Sequence, residues 1–342
     1  MHRPGPFSFA AFKTSKLLRR SCTSLSRVAQ PPSAVFLFLA LLILLTGFLN
    51  PAAGQQSQNQ APQSVVIRVP GGKIAVTLPD EQLKVSRQDL LSWVRSAADA
   101  VSHYYGRFPV PHLTLKVRSD AGSRVHHGVT YPRDGGLILI SVGRDADIDE
   151  LKTDWTLTHE MVHLAFPSME DDQHWIEEGI STYVEPVARA QVGQIPVAEA
   201  WRQFIRDMPK GEPAAGDQGL DNTHTWGRTY WGGAIFCLVA DVRIREQTKN
   251  RKGLQDALRA ILNSGGDINQ DWNIEKALAR GDRATGTNVL RNLYHDTRDK
   301  PAPVDLDQLW QKLGLDLKDR VVLFDDKAPE ANIRRAITTV HP

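Results

Sequence analysis

His159-Glu160-Met161-Val162-His163 places three groups capable of chemistry within five residues. On an α-helix, side chains four apart leave the same face one turn from each other, so both imidazoles project together with Glu160 beside them. Two imidazoles at that spacing are two of the three protein ligands that a catalytic zinc ion takes, and the adjacent carboxylate is placed to act as a general base. The third ligand has to come from elsewhere. Fifteen residues after His163 comes Glu178, within the run His174-Trp175-Ile176-Glu177-Glu178-Gly179-Ile180-Ser181-Thr182-Tyr183-Val184-Glu185. Glu178 and Glu185 are seven apart and share a helix face, with Thr182 between them. One carboxylate can bind a metal while the other orients a ligand histidine through its second ring nitrogen.

Two helices have to hold these groups. Asp147 followed by Glu150 reads as a capping box, and Leu151, Trp155, Thr158, Val162 and Ala165 recur at helical spacing. One buried helix is therefore expected from Asp147 until Pro167 closes the run. In the second helix, Pro186 lacks the amide that would bond the Thr182 carbonyl and disfavours helix at Glu185, so a kink is expected there. His174, one turn before Glu178, is expected as a surface histidine at the helix start, with a ligand or substrate contact as the alternative. Glu170, Asp171 and Asp172 suit a solvated helix N-terminus.

The pair formed by H-E-x-x-H and Trp175-Ile176-Glu177-Glu178-Gly179-Ile180-Ser181-Thr182-Tyr183 resembles the gluzincin metallopeptidases, in the peptidase MA-like group that contains the alanyl and glycyl aminopeptidases. The resemblance implies a single Zn2+ ion on His159, His163 and Glu178, the glutamate directly before the glycine being preferred over Glu177. It further implies Glu160 as the catalytic base, Glu185 with Thr182 behind the ligands, and a peptide or protein substrate. The spacing from His163 to Glu178 is shorter than that family commonly shows, which concerns the length of the intervening loop. Downstream, Thr229-Tyr230-Trp231-Gly232-Gly233-Ala234, expected to open a long helix to about Arg245, is similar to the family's Y-x-K-G motif with Gly232 in place of the lysine. By that match Tyr230 is the donor to the oxyanion, a contribution commonly worth ~3 kcal/mol of barrier, and His224 is a second candidate for the role.

The resemblance also implies a fold: an α+β, thermolysin-like zincin with a small N-terminal α/β lobe, an edge strand beside the active site, and a mostly helical C-terminal lobe. Gly128 to Ser141 is expected to supply the edge strand, against which an extended substrate can pair. Where the aminopeptidases carry G-x-M-E-N, whose glutamate holds the substrate's free amine, this chain reads Gly128-Val129-Thr130-Tyr131-Pro132. Exopeptidase specificity therefore does not carry over. His126-His127 just upstream suits a solvated loop.

The rest of the chain sets the context. Residues 1–54 hold Arg3, Lys13, Lys16, Arg19, Arg20 and Arg27 and no acid, then an apolar run from Ala34 to Leu49 and the small residues Pro51-Ala52-Ala53-Gly54. This reads as a signal peptide cleaved near Ala53 or Gly54, with an uncleaved membrane anchor through residues 34–49 as the alternative. A periplasmic or extracellular location is expected. The full chain has 41 Lys+Arg against 39 Asp+Glu; without the leader 35 remain against 39, a net of about −4, and no basic patch for nucleic acid survives. Cys22 leaves with the leader, and Cys237, among Ile235, Phe236, Leu238 and Val239, is expected as a buried packing residue. Residues 55–64 read as a disordered linker, 65–146 as the α/β lobe and 147–342 as the helical lobe carrying the zinc site. Within these, strands are expected at Val65–Val69, Ile74–Leu78, Leu113–Val117 and Leu137–Val142, and a helix at Ser86–Tyr105. The remainder alternates short amphipathic helices with turns. A non-catalytic envelope binding protein that retains the fold is the rival reading to a peptidase.

Overall fold

Alternating apolar residues build the first part of the chain into a sheet with one buried face. The computed structural model describes residues 64–339, so the expected leader and residues 55–63 of the linker lie outside the described residues. Strands β1 (Ser64–Val69) and β2 (Gly72–Thr77) form an antiparallel hairpin around Gly71, whose φ of 87° suits glycine. Helix α1 (Arg87–Tyr105) then crosses over to β3 (His112–Asp120), which lies parallel to β2. Ser86 opens α1 by accepting the Asp89 amide, and Gly106, at φ 81°, ends it. Strands β4 (Val125–Tyr131) and β5 (Leu137–Gly143) form a second hairpin; β5 pairs in parallel with β3 and leaves β4 outermost, in the order β1-β2-β3-β5-β4. Ile74, Val76, Leu113, Leu115, Val117, Ile138, Ile140 and Val142 line the buried face.

The hairpin corrects the expectation of one strand through Gly128–Ser141. Asp134 and Gly135, at φ 43° and 95°, turn the chain back, and Asp-Gly is a strong hairpin signal. His126 and His127 accordingly lie exposed on strand β4, beside a register shift, and not in a loop.

The single helix expected from Asp147 to Pro167 is two. Asp147 caps α2 (Ile148–Thr153) as expected, through the amides of Asp149 and Glu150. Asp154 then leaves the helix with an extended ψ of 137°, and its carboxylate accepts the amides of Thr156 and Leu157, opening α3 (Thr156–His163) on a new axis. A capping side chain inside an apolar repeat stops one helix and starts the next. Trp155, expected on the buried stripe, is 49% exposed as a result.

Helix α4 (His174–Gln191) runs without interruption through Pro186, where a kink is expected. Tyr183, Val184, Val187 and Ala188, all buried around the proline, pack the helix on both sides of the missing bond. Helix α5 (Val197–Asp207) follows, and then, in place of the expected opening turns of an α-helix, a π-helical turn at Gly227–Gly232 leads into α6 (Gly233–Thr248). Cys237 is buried in α6, as expected. The remainder comprises α7 (Leu254–Asn263), α8 (Ile274–Thr285), α9 (Val289–Thr297), α10 (Leu306–Leu313), the hairpin of β6 (Leu315–Lys318) with β7 (Val321–Phe324), and α11 (Ala331–Thr338). Helix α9 and this hairpin are additions to the sequence reading. The architecture is α+β, with a small N-terminal sheet followed by a helical part. Helix α1 packs on α3 and α4, the two helices that carry the motif residues. Among the described residues no helix is long and apolar enough to cross a membrane.

Candidate metal centre

Helices α3 and α4 bring His159, His163 and Glu178 together: one ligand atom from each lies within 4.8 Å of the others. Glu178 Oε2 is 3.1 Å from His159 Nε2 and 3.5 Å from His163 Nε2. Zinc bonds of ~2.0 Å set tetrahedral ligand atoms roughly 3.3 Å apart, which the separations of Glu178 from the two imidazole nitrogens match. His159 and Glu178 are buried, and His163 is 14% exposed at its side chain.

The electrostatics bind the three groups to one another. Burial opposes the charged Glu178 carboxylate, yet the surrounding histidines, His163 foremost, hold its pKa well below the usual carboxylate range. Burial likewise pushes the His163 imidazole down, and the charge and hydrogen bond of Glu178 outweigh it, so the net shift is upward.

Glu178 has a second partner that the sequence reading assigns to the surface. His174 Nε2 lies 3.1 Å from Glu178 Oε1, the oxygen other than the one facing His159 and His163, while His174 Nδ1 is 3.0 Å from Glu177 Oε2. Burial lowers the imidazole's basicity, and the two glutamates reverse this and push its pKa up to about 10. The readable signal is the spacing: His174 and Glu178 are one helical turn apart. Glu177, the competing ligand, is thereby engaged by His174.

The groups expected behind the ligands sit differently. Glu185 is buried and accepts a hydrogen bond from Arg189 Nη1 at 2.7 Å, one turn along α4, and Arg189 also donates to the Lys152 carbonyl at 3.0 Å. Burial raises the Glu185 pKa, against the pull of Arg189 and, more weakly, of His159. Glu185 thus stands close enough to His159 to feel its charge, and its hydrogen bond goes to Arg189. The Thr182 hydroxyl is buried without a hydrogen-bond partner.

Strand β4 reaches the centre from the other side. Thr130 Oγ1 is 2.6 Å from Glu160 Oε2 and 2.9 Å from the Glu160 carbonyl oxygen. At Gly128, two residues earlier, a Cβ would lie 2.6 Å from Glu160 Cγ and 2.9 Å from Oε1, so the glycine makes room for the glutamate. Gly128 and Thr130 face the same way because strand side chains alternate, a signal that links them once the strand is recognised.

Tyr230 arrives on the π-helical turn. Its ring stacks on His159 with centroids 6.2 Å apart and planes at 16°, and Trp226 stacks on its other neighbour side at 5.8 Å and 26°. Burial, then the Glu178 and Glu160 carboxylates, raise the phenol's pKa. Single π turns within helices recur at functional sites. What brings this turn over Glu178 is a backbone contact: a Cβ at Gly179 would overlap the Gly233 backbone, 2.8 Å from its carbonyl oxygen and closer still to its Cα. The glycine after Glu178 therefore serves helix packing between α4 and α6. His224 lies exposed in the loop before the turn and stands outside the cluster of candidate ligands. The indoles of Trp155, edge-on to His159 at 5.4 Å, and of Trp226 leave solvent-exposed aromatic surface beside these residues.

No family profile matches this sequence. No curated protein matches it. The fold, by contrast, is similar to that of an aminopeptidase N family protein from Idiomarina loihiensis, at 14% identity and a TM-score of 0.57, over 78% of this chain and 53% of that one. An M1 zinc metallopeptidase from Deinococcus radiodurans aligns at 13% identity and a TM-score of 0.45, over 71% of this chain and 54% of that one. Aminopeptidase A from Legionella pneumophila aligns at 13% and 0.44, over 70% and 28%. The chain thus spans about half the length of the Idiomarina loihiensis protein. By fold this chain is similar to an aminopeptidase N family protein, and His159, His163 and Glu178 form a group that could hold a metal ion.

Proposed function

We infer that this chain is a zinc-dependent peptidase that hydrolyses peptide bonds. The observation that carries the reading is the convergence of His159, His163 and Glu178 with Glu160 beside them, a carboxylate for which a purely structural metal site has no use. Bound zinc supplies Lewis acidity, making water more acidic and a carbonyl more electrophilic. The chain's own residues supply the rest. Glu160, on the same turn of α3 as the two histidines, takes the proton of the attacking water and returns it to the leaving amine. Tyr230, whose raised pKa keeps its phenol protonated, is a donor and not a base, suited to the oxygen of the tetrahedral intermediate. His174 holds the outer oxygen of Glu178 and so fixes the carboxylate's orientation.

The substrate class follows from the same site. Strand β4 is the outer strand of the sheet and lies against α3 at Glu160, where its free edge can pair with an extended peptide. Its sequence at Thr130-Tyr131-Pro132 has no acid to hold a free amine, so the reading is peptide-bond hydrolysis without a requirement for the substrate's N-terminus. The basic and apolar leader supports export. The deciding experiment uses the purified chain, a peptide library and a chelator: cleavage should vanish with the chelator and in Glu160→Gln, while Glu160→Gln retains its metal. Cleavage at the wild-type rate by Glu160→Gln would end this reading.

A further inference from the structure

The contact between Thr130 and Glu160 has more in it than a strap between strand and helix. Thr130 Oγ1 faces two oxygens of the same residue, the carboxylate Oε2 at 2.6 Å and the backbone carbonyl at 2.9 Å. A hydroxyl has one proton to give and lone pairs to receive with. Both neighbours are acceptors, and the proton serves one of them at a time; the 2.6 Å separation favours the carboxylate.

We propose that Thr130 is a positioning residue for Glu160: its hydroxyl donates to the Glu160 carboxylate and holds it in one orientation beside His159 and His163. No bond to a heavy atom forms or breaks at Thr130; the proton that Glu160 gains and later releases is the one already assigned to the water and the leaving amine. The inference rests on the peptidase reading, in which Glu160 is the base. Gly128 completes it, since any side chain there would displace the Glu160 chain from the place where Thr130 meets it. Burial of Glu160 gives the contact its importance: with little solvent at hand, a carboxyl group that lost its partner would be left unsatisfied.

The test compares wild type, Glu160→Gln, Thr130→Val and Thr130→Ser for kcat and KM on a peptide selected from the library, with zinc content and melting temperature measured on each. Valine keeps the shape and removes the hydroxyl; serine keeps the hydroxyl and removes the methyl group. Thr130→Val should lose roughly tenfold to a hundredfold in kcat, the scale of a hydrogen bond to a charged group, with KM within about twofold and zinc content at the wild-type level. Thr130→Ser should recover kcat to within about threefold of wild type. A Thr130→Val protein with wild-type kcat, while Glu160→Gln is inactive, overturns this inference alone. A Thr130→Ser protein as impaired as Thr130→Val, or whose loss tracks a fall in melting temperature, overturns it in favour of a packing role. If valine prevents folding, Thr130→Ala against Thr130→Ser carries the same comparison. Should Glu160→Gln hydrolyse as wild type does, the peptidase reading fails and this inference falls with it.

Discussion

Glu178 and His174 form a pair one helical turn apart in which the histidine holds the carboxylate oxygen that the candidate metal ligands leave over, with His174 Nε2 3.1 Å from Glu178 Oε1. A ligand carboxylate that is free to rotate loses binding energy to disorder, and partners of this kind typically account for 10–100-fold in metal affinity. His174→Ala is therefore expected to weaken zinc binding by roughly tenfold or more, measured by competition with a chelator of known affinity. Glu177→Gln, which removes the opposite partner of His174, should have a smaller effect in the same assay. Equal zinc affinity in His174→Ala and wild type would return His174 to the surface role its sequence position suggests.

The sequence offers two candidate donors for the oxyanion. The Tyr230 ring stacks on His159, whereas His224 is exposed in the preceding loop. Tyr230→Phe is expected to lower kcat roughly a hundredfold with little change in KM, because the lost bond is made to charge that develops only in the transition state. His224→Ala should leave kcat within about twofold. Steady-state kinetics on one peptide substrate decides between them, and the reverse order of effects would reassign the donor.

The candidate ligands were legible as a group because metal chemistry restricts residue types and helical spacing restricts their faces: His159, His163 and Glu178 come together where a metal ion could be held. The sheet hairpins and α1 were legible through alternation and capping in the same way. What stayed hidden depends on groups whose role is decided by tertiary contacts. Asp154 sits inside an apolar repeat that reads as one helix, and only its two backbone bonds show that it divides α2 from α3. Thr130 is an ordinary strand residue until Glu160 is brought to it across thirty positions. Glu185 has the periodicity of a residue behind the ligands, but Arg189 on its own helix takes its hydrogen bond. The Asp154 division can be tested directly. Asp154→Ala removes the cap of α3 and should cost about 1 kcal/mol of stability, read from denaturant unfolding, while Asp154→Asn, which retains an acceptor oxygen, should cost less.

Acid sensitivity should centre partly on Asp207. Its carboxylate, 7% exposed, meets Lys210 Nζ at 2.6 Å and is also paired with Arg206. Burial works against the charge, but the two cations outweigh it and hold the pKa below the ordinary aspartate value. For an acid with a depressed folded pKa, the stabilisation is complete above the unfolded value of about 3.9 and is lost as pH falls through the folded one. The melting temperature of wild type should thus drop below about pH 4 more steeply than that of Asp207→Asn, which has no such charge to lose. Parallel curves would mean that the pair contributes nothing to folding. The consequence reaches the site, because Lys210 also lies 5.8 Å above the Trp226 ring, which stacks on Tyr230.

Gly179 is the residue at which helix preference and packing make opposite demands. In the interior of a helix, glycine to alanine ordinarily stabilises by up to about 1 kcal/mol. At Gly179 the added methyl would run into the Gly233 backbone, with its Cα and both carbonyl atoms inside normal contact distance, and backbone cannot step aside as the end of a side chain can. Overpacking of this kind commonly costs about 1–3 kcal/mol, so Gly179→Ala should lower stability, by up to roughly 2 kcal/mol net. Relief of the clash means moving α6 away from α4, and the π turn that carries Tyr230 is continuous with α6. Activity should therefore fall along with melting temperature. A Gly179→Ala protein as stable as wild type but with the activity of Tyr230→Phe would show that the two helices separate at little cost and that the glycine is there for the tyrosine alone.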